Sequence, residues 1–358
     1  MSKWIHLRVK DIVEETKESK TVELEAPDED LHKFDFKPGQ FIGLKLEVEG
    51  QEEERSYSLI SSELDEGLKI TVKKVQNGKV SSHIVDKLAC GDFVYCTPPE
   101  GRFTINAQPD AERIHYFMAA GSGITPIYSM VKYLLEAEPK SQIHLLYGNR
   151  KPENSIFLNN LQQLEEDYKG QFFLKNVYSK GKKPKWNIFR IDDSDPWRGR
   201  VDEKKVKKWL KKNPSQGLEA HYYICGPGSM NEDIYQYLQD NEVPVDHIHV
   251  ESFRTQEELK AEGTLESTWE LEAKINGESH KLEVMGNRPI LEVLLDDGVD
   301  APHSCTSGAC ASCMAKIEEG EVEMDVDFAL TEEEKEQGYV LTCQSRPKTG
   351  YIKVNYDV

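Results

Sequence analysis

From Trp4 to about Ile105 apolar and polar positions alternate in short runs broken by turn residues. Examples are Thr21-Val-Glu-Leu24, Phe41-Ile-Gly-Leu-Lys-Leu46 and Leu68-Lys-Ile-Thr-Val-Lys-Lys-Val75. Closely spaced runs of this period predict a small antiparallel barrel. From Arg113 the texture changes. Continuous apolar runs at Ile114–Ala120, Ile143–Tyr147, Phe172–Tyr178 and His221–Cys225 read as buried strands. Helical patterns at Ile127–Glu136, Phe157–Tyr168, Val206–Lys212 and Met230–Asn241 alternate with them. That alternation predicts a parallel sheet built from βαβ units. Residues 254–267 (RTQEELKAEGTLES) are polar and charged and read as a linker. Beyond them come strands at Trp269–Ile275 and His280–Val284, a short helix at Ile290–Asp296, and a cysteine-rich loop.

At 358 residues the chain is long enough for two or three domains. No apolar run could span a bilayer, and MSKWIHLRVKD lacks a signal-peptide core, so a cytoplasmic protein with no membrane span is expected. A net charge of −19 argues against a nucleic-acid partner. The charge is uneven: residues 268–358 hold 19 acidic against 8 basic side chains, a net of −11. A solvated, solubilising surface accounts for such an excess unless a basic partner docks there.

Four of the seven cysteines lie in that acidic quarter, spaced Cys305-x4-Cys310-x2-Cys313 and then Cys343 after 29 residues. This is the plant-type spacing in which four thiolates hold a [2Fe–2S] cluster. Gly308 and Ala309 would let backbone amides point at the anionic sulfurs. A zinc site usually pairs two C-x2-C knuckles, and here there is one. A Rieske centre needs two histidine ligands, and His303 stands in the wrong order.

Two further clusters fit phosphate-bearing cofactors. In Arg55-Ser-Tyr57-Ser58, Arg55 offers a fork for pyrophosphate, Tyr57 a face to stack on a flat ring, and Ser58 a donor to a ring nitrogen. Gly78 permits close backbone approach, while the amides of Val80, Ser81 and Ser82 open a helix suited to phosphate. Val72 and Lys73 join this cofactor-binding set. In Gly121-Ser-Gly123-Ile-Thr125-Pro126 two glycines make a tight turn after a strand; Thr125 can cap the next helix and Pro126 suits its first position. The third glycine of a Rossmann fingerprint is missing. Cys225-Gly226-Pro227 ends a later strand, where a buried cysteine could equally be a small core residue.

Taken in order, RSYS, GKVSSHI, PPEGRF, GSGITP, CGP and the cysteine loop resemble the ferredoxin–NADP⁺ reductase superfamily with a C-terminal plant-type ferredoxin domain, over essentially the whole chain. The resemblance implies a multidomain protein: a β-barrel flavin domain (1–109), an α/β NAD(P)H-binding domain (110–253), a linker (254–267) and an α+β β-grasp [2Fe–2S] domain (268–358). It implies FAD, although some members carry FMN. It places Cys225 beside the nicotinamide ring and Glu251 and Phe253 near the flavin, so that Tyr57, Ser58, Cys225 and Phe253 form the catalytic shell. Arg150, Ser179 and Lys180, with the basic run KGKKPK, suit a 2′-phosphate and favour NADPH, with NADH the alternative. The tail GEVEMDVDFAL…GYVLTCQSRP resembles the reductase components of phenylacetyl-CoA epoxidases, which implies electron delivery to a non-haem di-iron oxygenase. Reductases of Rieske-type oxygenases and of hybrid cluster protein share the architecture. A redox sensor is the rival outside catalysis, and no basic DNA-binding face supports it.

Overall fold

The alternating N-terminal runs pair as expected in the computed structural model, which describes residues 4–65, 67–180, 197–253, 268–306, 308 and 310–358. The linker 254–267, all of KGKKPK after Lys180, and Ala309 lie outside the described residues. The chain divides into two compact units, Met1–Glu100 with Thr104–Glu251 and Gly101–Phe103 with Ser252–Val358.

The first unit opens with β1 (Ile5–Thr16), β2 (Ser19–Glu25), β3 (Phe41–Val48), β4 (Gln51–Ser58), β5 (Leu68–Lys73) and β6 (Phe93–Cys96). They form one sheet in the order β4-β3-β6-β1-β2-β5, with antiparallel pairings throughout. A bridge from Leu59 to Ile70 joins its two ends and closes the barrel. Alternate side chains such as Leu7, Val9, Ile42, Leu44, Ile70 and Val72 fill the interior. Helix α1 (Lys79–Asp86) packs on it through Val80, Ile84 and Val85.

The same unit continues with β7 (Ile114–Ala120), α2 (Ile124–Ala137), β8 (Gln142–Asn149), α3 (Leu158–Asp167), β9 (Phe172–Tyr178), α4 (Glu203–Lys212), β10 (Ala220–Gly226), α5 (Gly228–Asp240) and β11 (Ile248–Ser252). The strand order is β11-β10-β7-β8-β9, with β10, β7, β8 and β9 mutually parallel. The chain leaves β7 for β8 on one side and returns to β10 on the other. The crevice at the carboxyl ends of β7 and β10 is therefore the topological switch point, where ligands bind in open α/β sheets. Barrel and sheet are tied by Gly39 N donating to Ser129 Oγ (3.0 Å) and by Lys132 paired with Asp65 (2.6 Å).

In the second unit β12 (Thr268–Ile275), β13 (Glu278–Met285), β14 (Met314–Glu319), β16 (Tyr339–Leu341) and β18 (Tyr351–Asn355) form a mixed sheet ordered β13-β12-β18-β14-β16. The short β15 (Val322–Met324) and β17 (Ser345–Pro347) pair separately. Helix α6 (Ile290–Asp296) contributes Ile290, Leu291, Val293 and Leu294 to the core. Helix α7 (Glu332–Glu336) opens with a capping box between Thr331 and Glu334. Glu334 also pairs with Arg102, which this unit takes in with residues 101–103.

Candidate functional site

The barrel places the residues read from the sequence as flavin-binding at the end of β4 and around α1. Ser58 is buried, and its Oγ has no hydrogen-bond partner. A buried hydroxyl left unpaired costs on the order of 1–3 kcal/mol unless a ligand satisfies it. That orphan fits a polar ring edge such as a flavin presents. Tyr57, the preceding residue, packs against the barrel core, and burial pushes its phenol well above the ordinary value. Arg55 is exposed; its guanidinium pairs with Glu53 (3.2 Å) and donates to the Glu54 carbonyl (2.6 Å). A pyrophosphate would have to compete with Glu53 for it. Gly78 precedes α1, and a Cβ there would stand 2.7 Å from Ser81 Oγ. Ser81 Oγ in turn accepts from Val75 N (3.1 Å), so it secures the turn and leaves phosphate to the amides of the first helical turn. Ser82 is half-buried on that turn.

At the switch point two glycine turns meet. Gly121 takes φ +59°, and Gly121–Gly123 form a 3₁₀ turn running into α2. A Cβ on Gly123 would lie 2.1 Å from the Cys225 carbonyl oxygen, an overlap no backbone tolerates. A Cβ on Gly226 would lie 2.4 Å from Met230 Cε. The sequence reading of Thr125 needs correction: it does not cap α2 but donates to the Ser122 carbonyl (2.9 Å), and α2 has no side-chain cap. Pro126 stands third in the helix, not first, because the preceding 3₁₀ turn takes over the entry. Cys225 is fully buried; its thiol lies 4.0 Å from Glu251 Oε2, and burial, then the Glu251 carboxylate, raises it well above an ordinary thiol. Pro227 immediately precedes α5 with no side-chain cap, and Asn231 on that helix donates to the Glu251 carbonyl (2.9 Å). Phe253, in the second unit, is 40% exposed.

Arg150, Ser179 and Lys180, expected from the sequence to suit a 2′-phosphate, are brought together by backbone pairing beyond the strand ends. Ser179 N donates to the Asn149 carbonyl (2.9 Å) and Lys180 N to the Arg150 carbonyl (2.8 Å), which sets Arg150, Ser179 and Lys180 side by side. Lys73 belongs to this edge as much as to the barrel: its Nζ lies 3.8 Å from where a Gly121 Cβ would stand. Burial lowers its pKa, Glu18 opposes that, and the nearby Arg150 charge adds to the lowering. Val72, fully buried beside it, is a barrel core residue. Two residues escape the sequence reading. Asn149 is buried at this edge near Tyr147, whose Oη donates to the Gly121 carbonyl (3.2 Å). No local motif marks either, since each looks like an interior strand residue.

In the second unit the four thiols converge. Thr306, Gly308 and Ala311 take positive φ (52°, 78° and 58°), turning the loop back on itself. A Cβ on Gly308 would press on Gln344 at 3.0 Å. Cys310 Sγ accepts from the amides of Cys305 (3.5 Å) and Ser312 (3.4 Å). Cys343 is held above the ordinary thiol range by its hydrogen bond with Cys313, by burial, and by Cys313, Cys305 and Cys310 in turn. Thiols close enough to raise one another in this way are a donor set for a polynuclear centre whose positive irons relieve that repulsion. Gln344, missed in the sequence although adjacent to Cys343, donates to Cys343 Sγ (3.6 Å) and to the Thr306 carbonyl (3.2 Å).

Comparison with known proteins finds the same three parts. Residues 6–105 match the oxidoreductase FAD-binding domain, 117–236 the oxidoreductase NAD-binding domain, and 273–348 the 2Fe-2S iron-sulfur cluster binding domain. The chain is 30% identical to the ferredoxin reductase component of 3-ketosteroid-9-alpha-monooxygenase from Rhodococcus rhodochrous, over 99% of this chain and 97% of that protein. It is 29% identical to one of the subunits of 1,2-phenylacetyl-CoA epoxidase from Escherichia coli K12, over 100% of this chain and 99% of that protein. The solved structure of phthalate dioxygenase reductase matches over 98% of both chains at 24% identity, with a TM-score of 0.58, and supports the fold. Among the described residues no helix is long and apolar enough to cross a membrane.

Proposed function

Because the chain belongs to the family of ferredoxin reductase components that join FAD-binding, NAD-binding and [2Fe–2S] domains, we propose that it draws electrons from NADPH and delivers them singly to an oxygenase, of the di-iron type that phenylacetyl-CoA epoxidase represents. The observation that carries this reading is that Cys305 and Cys310 share one tight loop (Cys305 N to Cys310 Sγ, 3.5 Å), while Thr342 and Gln344 donate to the Cys313 and Thr306 carbonyls (2.9 and 3.2 Å) and so bring Cys343 to it, on the same chain as the switch-point crevice. When bound, the flavin supplies two-electron acceptance from nicotinamide and the cluster one-electron carriage.

The protein's own task is positioning. Ser58 Oγ offers a hydrogen bond in a dry site, and Tyr57 a ring face next to it. The Gly121–Gly123 turn and the Cys225–Pro227 turn bring backbone to the nucleotide without side-chain obstruction. Cys225 excludes water beside Glu251, its thiol remaining protonated. Arg150, Ser179 and Lys180 form a cationic, hydroxyl-bearing edge suited to a 2′-phosphate. We assign 1–109 to the flavin domain, 110–253 to the nucleotide domain, 254–267 to a linker and 268–358 to the cluster domain. The decisive experiment supplies the holoprotein with NADPH and a purified di-iron acyl-CoA oxygenase, and asks whether nucleotide oxidation is coupled to product. Reduction of cytochrome c without coupling to that oxygenase would move the acceptor to another oxygenase class. Absence of any turnover would sink the reductase reading in favour of a sensor.

A further inference from the structure

At the opposite edge of the parallel sheet, away from the switch point, Glu219 precedes β10, His221 lies within it, and His247 ends the turn that leads into β11. We propose that these three residues form a divalent-metal site for a borderline cation such as Zn²⁺, distinct from the four-cysteine centre. Their ligand atoms all lie within 4.8 Å of one another. Glu219 Oε1 is 2.9 Å from His221 Nε2 and 3.9 Å from His247 Nε2. Two imidazoles and one carboxylate at such spacing are the donor set of a three-ligand zinc site, with solvent completing the tetrahedron at the exposed carboxylate.

The hydrogen bonds that orient the ligands are partly in place. His247 Nδ1 lies 3.0 Å from the Ala220 carbonyl, which can only accept, so Nδ1 carries the proton and the Nε2 lone pair turns toward Glu219. The His221 and His247 rings stack at 4.4 Å, which fixes their relative orientation. The Glu219 carboxylate likewise only accepts, so in the metal-free protein His221 carries its proton on Nε2; ligation there exchanges that hydrogen bond for the metal bond and moves the proton to Nδ1, which is buried without a partner, a cost the metal must offset. His221 lies four residues before Cys225 on an extended strand, roughly 13 Å away. A cation there would clip the start of β10 to the lead-in of β11 without touching the nucleotide crevice.

The test uses tag-free holoprotein titrated with zinc chloride alone, read by calorimetry and by melting temperature, with cluster and flavin absorbance recorded throughout. The expected result is one saturable equivalent per chain and, at about a hundredfold excess over Kd, a rise in melting temperature of roughly 5 °C or more. Glu219→Gln, at the surface, and His247→Ala, half-buried, should each weaken binding by at least about 100-fold, beyond the usual cost of losing a residue that only orients a ligand. If one variant loses flavin, the other decides. Absence of a saturable equivalent, equal uptake by both variants, or uptake that tracks loss of cluster absorbance would overturn the site.

Discussion

At the residue scale, the crevice depends on a contact that one methyl group would destroy. Gly123→Ala drives a Cβ into the Cys225 carbonyl, so β7 and β10 must separate at their ends. The expected cost is at least ~1–3 kcal/mol, as for an overpacked core, with slowed reduction of bound flavin by NADPH in stopped flow. Cys225→Ala removes the thiol and leaves the fold, so hydride transfer should slow while flavin and cluster absorbance stay intact; an unchanged rate would return Cys225 to the core. His144 carries a different prediction. It is buried without a hydrogen-bond partner, stacked on Phe173 at 4.5 Å, and burial lowers its pKa from 6.5 to about 4. His249 is likewise lowered to about 4, by burial first. The folded state therefore refuses protons that the unfolded chain binds, and stability should fall as pH drops from about 6.5 to about 4, by up to ~1.4 kcal/mol per pH unit for each histidine. His144→Phe keeps the aromatic packing and should flatten that slope by one proton in denaturant titrations at pH 7 and pH 5. The chemistry of glycines and cysteines was legible here because spacing alone carries it. Asn149 was not, because an asparagine at the end of an apolar strand reveals its buried place beside Tyr147 only once the neighbouring strands are placed.

Elements were legible wherever the pattern was local. Ile114–Ala120, Phe172–Tyr178 and Ile290–Asp296 fall where the apolar runs put them, and α2 begins three residues earlier than its periodic core because the glycine turn feeds it without a break. The last strand escaped. β18 is only Tyr351–Asn355, yet it sits centrally, parallel to β12 and antiparallel to β14. Nothing in five alternating residues announces partners at both 270–274 and 316–319, far upstream. Its importance is testable: Ile352 and Val354 are fully buried in the second unit's core. Ile352→Ala should cost roughly 2–5 kcal/mol. Cluster absorbance should be lost on mild heating while flavin binding in the first unit persists. Simultaneous loss of both would mean that the two units unfold as one.

For the whole molecule, chain order separates the redox parts. Every residue of the first unit proposed to bind flavin or nucleotide precedes position 252, and all four proposed cluster cysteines follow position 304. A fragment ending at Phe253 should fold, bind FAD and oxidise NADPH with ferricyanide. Among the bonds it gives up are those of Arg102 to Glu334 and the Ala329 carbonyl, exposed contacts worth about 1 kcal/mol or less. The same fragment should reduce the oxygenase slowly or not at all, and Cys310→Ser in the full chain should abolish coupled turnover while sparing flavin reduction by NADPH. Nucleotide choice tests the other end: with Arg150, Ser179 and Lys180 aligned, NADPH should exceed NADH in kcat/KM by roughly tenfold, about one charge-assisted hydrogen bond, and parity would remove the 2′-phosphate assignment. The acidic bias adds a further discriminator. Residues 268–358 carry −11 of the chain's −19, a field suited to steering onto a basic partner face. Coupled turnover should then decline as ionic strength rises above its optimum, because the Debye length shrinks from about 10 Å at 0.1 M toward about 3 Å at 1 M. Ferricyanide, itself anionic, gains nothing from that field, so its turnover should not show the same decline. A salt response common to both acceptors would mean that the acidic surface serves solubility and not docking.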